Sequence, residues 1–441
     1  MIKSIYLLTI IFLVCCNQKT TTSATENIDE LARQYVRLGL TIGQYDNVFV
    51  DAYYGPDSLQ PTSPKSSLFP KDSLLASVDR LSGKMKTFIG NEKNDTLADR
   101  ARWMASQLTA FARRIRIFSG ELGTFDEESK ELFGVVAPSY PESYFKMLIA
   151  KLDSVLPGNG SIPIRFQNLA NRFIIPKNKL DTVFKTAIGE CRKRTLAHYT
   201  LPANENFSLE YVTGKSWSGY NWYKGNYQSL IQINTDLQIF IDRAIDVGSH
   251  ESYPGHHVYN MLLEKNLYRE KGWLEISLYP LFSPQSLIAE GSANYGIDVA
   301  FPGYEKNKFT RDILLPLAGL DTTGIDTYFS ALEIKGELNY VRNEVARGLL
   351  DGTMTETQAI EMLMDYGLNN KETAVKSIGF IRANRSYVIN YNYGKDLVKH
   401  DIESKGGTAA NPVRRWELFG KLLSKAAIPM ELESGTPLKG K

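Results

Sequence analysis

Apolar residues recur every three to four positions over residues 28–152. Leu31, Tyr35, Leu38 and Ile42 form one run, and Leu97, Trp103, Met104, Leu108 and Phe111 a second, the period of helices that bury one face. Gly55, Pro56, Pro61 and Pro64 break the pattern, and Pro157, Gly158, Asn159 and Gly160 mark another loop. Near Phe207 the period changes to two. Phe207, Leu209 and Tyr211 alternate, and later Leu230, Gln232 and Asn234 alternate with Ile231, Ile233 and Thr235, which predicts two strands of a small antiparallel sheet. A Gly- and aromatic-rich segment with Trp217, Tyr220, Trp222, Tyr223 and Tyr227 separates them, and those rings read as strand packing rather than a substrate cage. Helical spacing returns at Ile241 and dominates to the end. Ser283 before Pro284 is a capping oxygen followed by a proline at the first helical position, so a helix is expected from there through Ala300. Further helices are expected over 358–364 and 416–426. The expected fold is mainly α with a small antiparallel sheet: an N-terminal helical region over 28–200, and a region over 201–441 that carries the sheet and the chemistry, packed as one body.

The first residues have a different logic. Lys3 precedes an apolar run over 5–14, which ends at Cys15 and Cys16. A run of that length falls short of the roughly 20 residues that span a bilayer, so it reads as an export signal over 1–16. Leu13, Val14, Cys15 and Cys16 resemble the lipobox of bacterial lipoproteins. Cys16 is then the expected lipid anchor, residues 17–27 are a polar tether, and the protein is exported and held on the bilayer of the bacterial cell envelope. Only Cys191 is left for the folded body, so stability must come from packing rather than disulfides. Apolar residues at 43% and charged residues at 23% suit a globular chain. Lys plus Arg (51) nearly balance Asp plus Glu (49), and no basic stripe is visible, which argues against nucleic acid as a partner. The oligomeric state is not legible.

The chemistry gathers in one place. The chain has five histidines, and His250, His256 and His257 fall within eight residues, beside Glu251. Imidazoles converging from one segment suit Zn²⁺, and the adjoining carboxylate is placed to take a proton from an attacking water. On a regular helix, six residues advance about 9 Å and turn to another face, so His250 and His256 meet only if the helix is bulged or interrupted at Tyr253, Pro254 and Gly255. His256 is the expected second ligand, with His257 kept as an alternative ligand or a substrate contact. An ionised Glu290 within an apolar helical run is costly unless it is paired or bound to metal, which makes it the natural third ligand.

These residues resemble a known family. His250 to His257 matches the HExxPGHH signature of the DUF885 family, and residues 290–295 resemble its EGWALY motif, with Ser292 in place of the Trp. Arg342 and residues 356–363 resemble its Arg-containing helix and following segment. Residues 382–394 resemble its Tyr-containing PGQAxSYKxG stretch, keeping Tyr391 and Gly394 without the PGQA. The resemblance implies a gluzincin-like architecture with the zinc site on a central interrupted helix, held by His250, His256 and Glu290, and Glu251 as general base. It also implies that an edge strand over 230–235 pairs with an extended peptide, which puts Ile231 and Ile233 against substrate. Tyr391 is the expected oxyanion donor, with Arg385 and His257 as alternatives, and Arg385 is also a candidate for a substrate carboxylate.

The expected activity is zinc-dependent hydrolysis of peptide or related amide bonds in the cell envelope. The competing expectation is a lipoprotein that keeps its zinc, has lost turnover, and binds peptides or glycans.

Overall fold

The computed structural model describes residues 27–215 and 217–433. The expected signal, the anchor at Cys16 and nearly all of the tether lie outside the described residues. Helices come first: α1 (Ile28–Gly43), α2 (Lys71–Asn91), α3 (Asp95–Phe118), α4 (Phe125–Phe133), α5 (Glu142–Val155), α6 (Ile162–Ala170) and α7 (Leu180–Leu196). The periodic residues do what their spacing requires. Leu31, Tyr35, Leu38 and Ile42 of α1 are buried, as are Trp103, Met104, Leu108 and Phe111 of α3. Tyr35 stacks on Phe111 with ring centroids 5.0 Å apart. Burying a side chain of this size contributes about 1.5–3 kcal/mol, so the two helices are joined mainly by their apolar faces.

Among the described residues, five short strands follow the alternation only in part: β1 (Val50–Tyr53), β2 (Asn206–Val212), β3 (Gly219–Gly225), β4 (Gln228–Asn234) and β5 (Leu278–Pro280). β1 pairs antiparallel with β5, and the other three form a sheet in the order β2-β4-β3. The aromatic segment expected to link two strands is itself β3. Its alternation is hidden because Gly219, Asn221 and Gly225 occupy inward positions while Trp222 and Lys224 point out. β3 returns antiparallel into β4 through Asn226 and Tyr227, both at positive φ (53° and 63°), as a tight primed hairpin turn demands. β2 then lies parallel on the far side of β4.

That order overturns one expectation. Residues 230–235 do not form an edge: β4 is central, with one ladder taken by β2 and the other by β3. Ile231 and Ile233 are 0% and 1% exposed, so these side chains hold the core and cannot touch substrate. The edges belong instead to β2 and β3, and the outer side of β3 pairs with no strand among the described residues.

The remaining helices build the second half: α8 (Ile241–Glu251), α9 (His256–Leu263), α10 (Pro284–Ala300), α11 (Glu305–Phe309), α12 (Leu315–Ala318), α13 (Ile325–Leu338), α14 (Val341–Leu350), α15 (Glu356–Asp365), α16 (Lys371–Asn384), α17 (Ile389–Ser404), α18 (Pro412–Leu423) and α19 (Pro429–Glu433). Ser283 caps α10 by accepting from the Ser286 N–H at 3.3 Å. The protein is therefore mainly helical with little sheet, as its periodicity predicts, and one cluster of buried apolar side chains extends from Ile28 to Leu432.

α10 is buried nearly throughout and lies along α17. Their closest approach is glycine on glycine: a Cβ on Gly291 would stand 2.3 Å from the Gly394 carbonyl oxygen. Backbone cannot yield there as a flexible side chain can, so Gly291→Ala is expected to cost about 1–3 kcal/mol, read as a lower urea midpoint. An unchanged midpoint would mean that the two helices have slack.

Candidate metal centre

α8 and α9 are the two halves of one broken helix. Ile241, Ala244, Ile245 and Gly248 bury the inner face of α8, and Gly248 lets it press against Ile188 of α7. The helix stops at Glu251, and the chain folds back through Ser252, Tyr253, Pro254 and Gly255 before α9 opens at His256. Gly255 is required by this reversal, because a Cβ there would lie 1.9 Å from the His250 carbonyl oxygen. The break removes the helical rise that would have separated His250 from His256. Their Nε2 atoms stand 3.1 Å apart.

Glu290 reaches the same point from α10. Its Oε2 is 3.2 Å from His250 Nε2 and 3.7 Å from His256 Nε2. A tetrahedral zinc ion with bonds of about 2.0–2.1 Å sets its ligand atoms about 3.3–3.4 Å apart, so the three observed edges bracket that value. Three further observations fit a cation. Glu290 Oε2 is buried and accepts no hydrogen bond, which leaves a lone pair aimed at the gap. His250 presents Nδ1 to Asn294 Oδ1 at 3.1 Å, which places the proton there and turns the Nε2 lone pair inward. Burial pushes the Glu290 carboxyl up, yet the two imidazoles overcome this and hold it well below the usual carboxylate range. The reciprocal effect appears on His256, which burial pushes down and Glu290 raises to about 9. The centre thus calls for positive charge. The side chains of His250, His256 and Glu290 keep 14%, 11% and 11% of their surface exposed, so the gap is within reach of solvent.

Glu251 lies beside this centre. Its backbone carbonyl accepts from Asn221 Nδ2 of β3, which fixes the end of α8 on the sheet. Its carboxylate makes no hydrogen bond or ion pair among the described residues. Burial raises its pKa, against the opposing pull of His250 and His256. Gly219 makes room for it, since a Cβ there would be 3.1 Å from Glu251 Oε1.

Three neighbours escaped the sequence reading. Tyr387, in the 3-10 turn Arg385–Val388, donates its hydroxyl to Glu290 Oε1 at 3.0 Å. Asn294 was within reach of inference, since it follows Glu290 by four residues and shares its helix face. Asp51 was not, because nothing local connects β1 to a site two hundred residues away. It accepts a hydrogen bond from the Tyr220 hydroxyl and is raised to about 6, chiefly by burial and in part by Glu290 and Glu251.

Tyr391, expected as the oxyanion donor, lies against Tyr387, the residue that donates to Glu290. Its ring meets that of Tyr387 edge-on at 5.7 Å, and burial together with Glu290 raises its phenol well above the ordinary value, so it keeps its proton. His257 is placed elsewhere. It is 0% exposed, with Nδ1 2.8 Å from Ser229 Oγ and Nε2 3.1 Å from Glu205 Oε2, so it is neither a ligand nor a substrate contact but a post between α9 and the sheet. His256 and His257 both stand on α9, where successive side chains point about 100° apart, so His256 can face His250 while His257 faces the sheet. Arg385 is also spoken for, because its Nε donates to Glu128 Oε2 at 2.6 Å in a buried pair. It reaches neither oxyanion nor substrate.

Fold and site together define the class: a mainly helical protein with a His-His-Glu cluster that could hold a metal ion, at the break of one helix and on the face of another. No family model and no curated protein matches the chain, so its likeness to DUF885 rests on the quoted motifs. Among solved structures, the chain resembles one described as "the putative lipoprotein from Colwellia psychrerythraea". That likeness has a TM-score of 0.52 and 15% identity, covering 82% of this chain and 68% of the other. It also resembles the M32 carboxypeptidase from Deinococcus radiodurans R1, with a TM-score of 0.42 and 13% identity, covering 93% and 94%. At such identities the first likeness shows a shared fold and nothing further. No helix among the described residues is long and apolar enough to cross a membrane.

Proposed function

We propose that the protein is a zinc-dependent hydrolase of peptide or related amide bonds, tethered to the bacterial cell envelope through Cys16. The observation that carries this reading is the convergence of His250 Nε2, His256 Nε2 and Glu290 Oε2 at tetrahedral spacing, beside a buried and unpaired Glu251. A purely structural metal site has no use for such a carboxylate.

Bound zinc supplies a Lewis acid at this point and makes a neighbouring water easier to deprotonate. Glu251 takes the proton of the attacking water and returns it to the leaving nitrogen. Tyr391, which stays protonated, offers its O–H to the carbonyl oxygen as that atom gains charge. Asn294 holds His250 in one tautomer, and Tyr387 orients Glu290. The open edge of β3, joined to the end of α8 through Asn221, offers backbone N–H and C=O groups to an extended chain.

The test pairs metal analysis with digestion of a random peptide pool, followed by mass spectrometry. The expected result is one zinc per chain and cleavage that a chelator abolishes and added zinc restores. Bound zinc with no chelator-sensitive cleavage would instead identify a binding protein that has lost turnover.

A further inference from the structure

Burying a guanidinium without an anion is costly, because it loses its hydration and gains nothing in return. The buried arginines of this protein obey that rule. Arg100 meets Glu275, Arg114 meets Asp46, Arg385 meets Glu128 and Arg415 meets Glu403. Arg342, half-buried but with its Nε enclosed, does not. It meets no carboxylate among the described residues, and its Nε is buried with no hydrogen-bond acceptor. Its guanidinium has only the face of Phe380, 5.5 Å away, and the phenol of Tyr391 as electrostatic neighbours.

Its position is fixed from both sides. Arg342 stands on α14, and the next residue, Asn343, exchanges amide hydrogen bonds of 3.1 and 2.9 Å with Asn392 of α17. That pair ties α14 to α17 one residue on from both Arg342 and Tyr391. The Tyr391 phenol in turn feels the charges of Glu290, Arg342 and Glu251, so it is an electrostatic neighbour of both the arginine and the His-His-Glu cluster. Arg342 is only partly buried, which leaves a route for a ligand.

We infer that Arg342 is the receptor for a carboxylate of the substrate, held beside Tyr391. The inference rests on the hydrolase reading and narrows its substrate class to chains that present a carboxylate close to the bond being cut. Two sources share this chemistry: a free C-terminal carboxylate and an Asp or Glu side chain. The planar fork of the guanidinium suits either, through paired N–H donors. The short span implied by one shared tyrosine neighbour favours the free terminus.

The test is equilibrium binding to the zinc-loaded Glu251→Gln protein, in which ligands stay intact. Three pools of acetyl-blocked tetrapeptides are compared: free acids without acidic side chains, the same sequences as C-terminal amides, and amides carrying one Glu. The free acids are expected to bind about 30-fold more tightly than the plain amides, the lower end of what removing one partner of a buried charged pair costs. Arg342→Gln is expected to erase that difference, and Arg342→Lys to restore part of it. Preference for the Glu-containing amides would uphold the receptor and assign the carboxylate to a side chain. Equal binding of acids and amides, no binding of any pool, or a preference that survives Arg342→Gln would overturn the inference. Should the Arg342 variants fail to fold, the acid-to-amide comparison on the unchanged arginine still decides. The hydrolase reading stands or falls separately, on chelator-sensitive cleavage by the protein with Glu251 intact.

Discussion

Replacing Glu251 by Gln is expected to leave one zinc per chain and to lower amide hydrolysis by about 10²–10⁴-fold, the usual worth of a general base. Glutamine keeps the shape of the side chain and the Asn221 contact, which uses only the backbone carbonyl of residue 251. It removes the one property at issue, the capacity to accept a proton. The carboxylate has no ion-pair partner to lose, so thermal stability should hold or rise slightly, since burial alone disfavours its charged form. Turnover, zinc content and melting temperature therefore separate a base from a structural residue. Undiminished kcat would remove Glu251 from the mechanism.

Glu290→Gln tests the metal centre itself. The neutral amide keeps most of the packing on α10 but takes away the anion that draws the two imidazoles together, so zinc affinity should fall by more than about 100-fold. Losses of about 10–100-fold are the range for groups that merely orient a ligand, and Asn294→Ala, acting through His250 Nδ1, should fall within it. Competition against a chelator of known affinity gives both numbers. If Glu290→Gln and Asn294→Ala weaken zinc equally, Glu290 is not a ligand, and the proposed coordination is wrong. The metal-free protein should also show the cost of the vacant charge: adding zinc should raise the melting temperature of the unaltered chain and leave that of Glu290→Gln nearly unchanged at the same concentration.

Much of this was visible in one dimension because the relevant chemistry is local. His250, Glu251 and His256 lie within seven residues, and Pro254 with Gly255 announces the break that lets both rings face one point. The Ser283 cap and the period of α10 placed Glu290 on a helix, and its charge within an apolar run flagged it. The strands were harder. β3 carries glycine and asparagine at inward positions, so its alternation does not register, and without it β4 looks like an edge. The resemblance put an edge strand at 230–235 and so set Ile231 and Ile233 against substrate, and nothing local revealed that they belong to the core.

His257 and Arg385 show a second limit. Each is a residue of suitable type close in sequence to the site, and each is turned away by a partner from far along the chain: Glu205 for His257 and Glu128 for Arg385. The approach of Asp51, the bond from Tyr387 to Glu290 and the solitude of Arg342 arise the same way.

The sequence by itself determined the helical class, the broken helix and the three residues that converge beside Glu251, because period, capping and the geometry of proline and glycine act within a few residues. Only the tertiary structure decided which strands are the edges, which charged side chains are already paired and which arginine keeps a buried nitrogen without an acceptor. Pairing is settled by packing between segments hundreds of residues apart, and no local pattern in the chain encodes it.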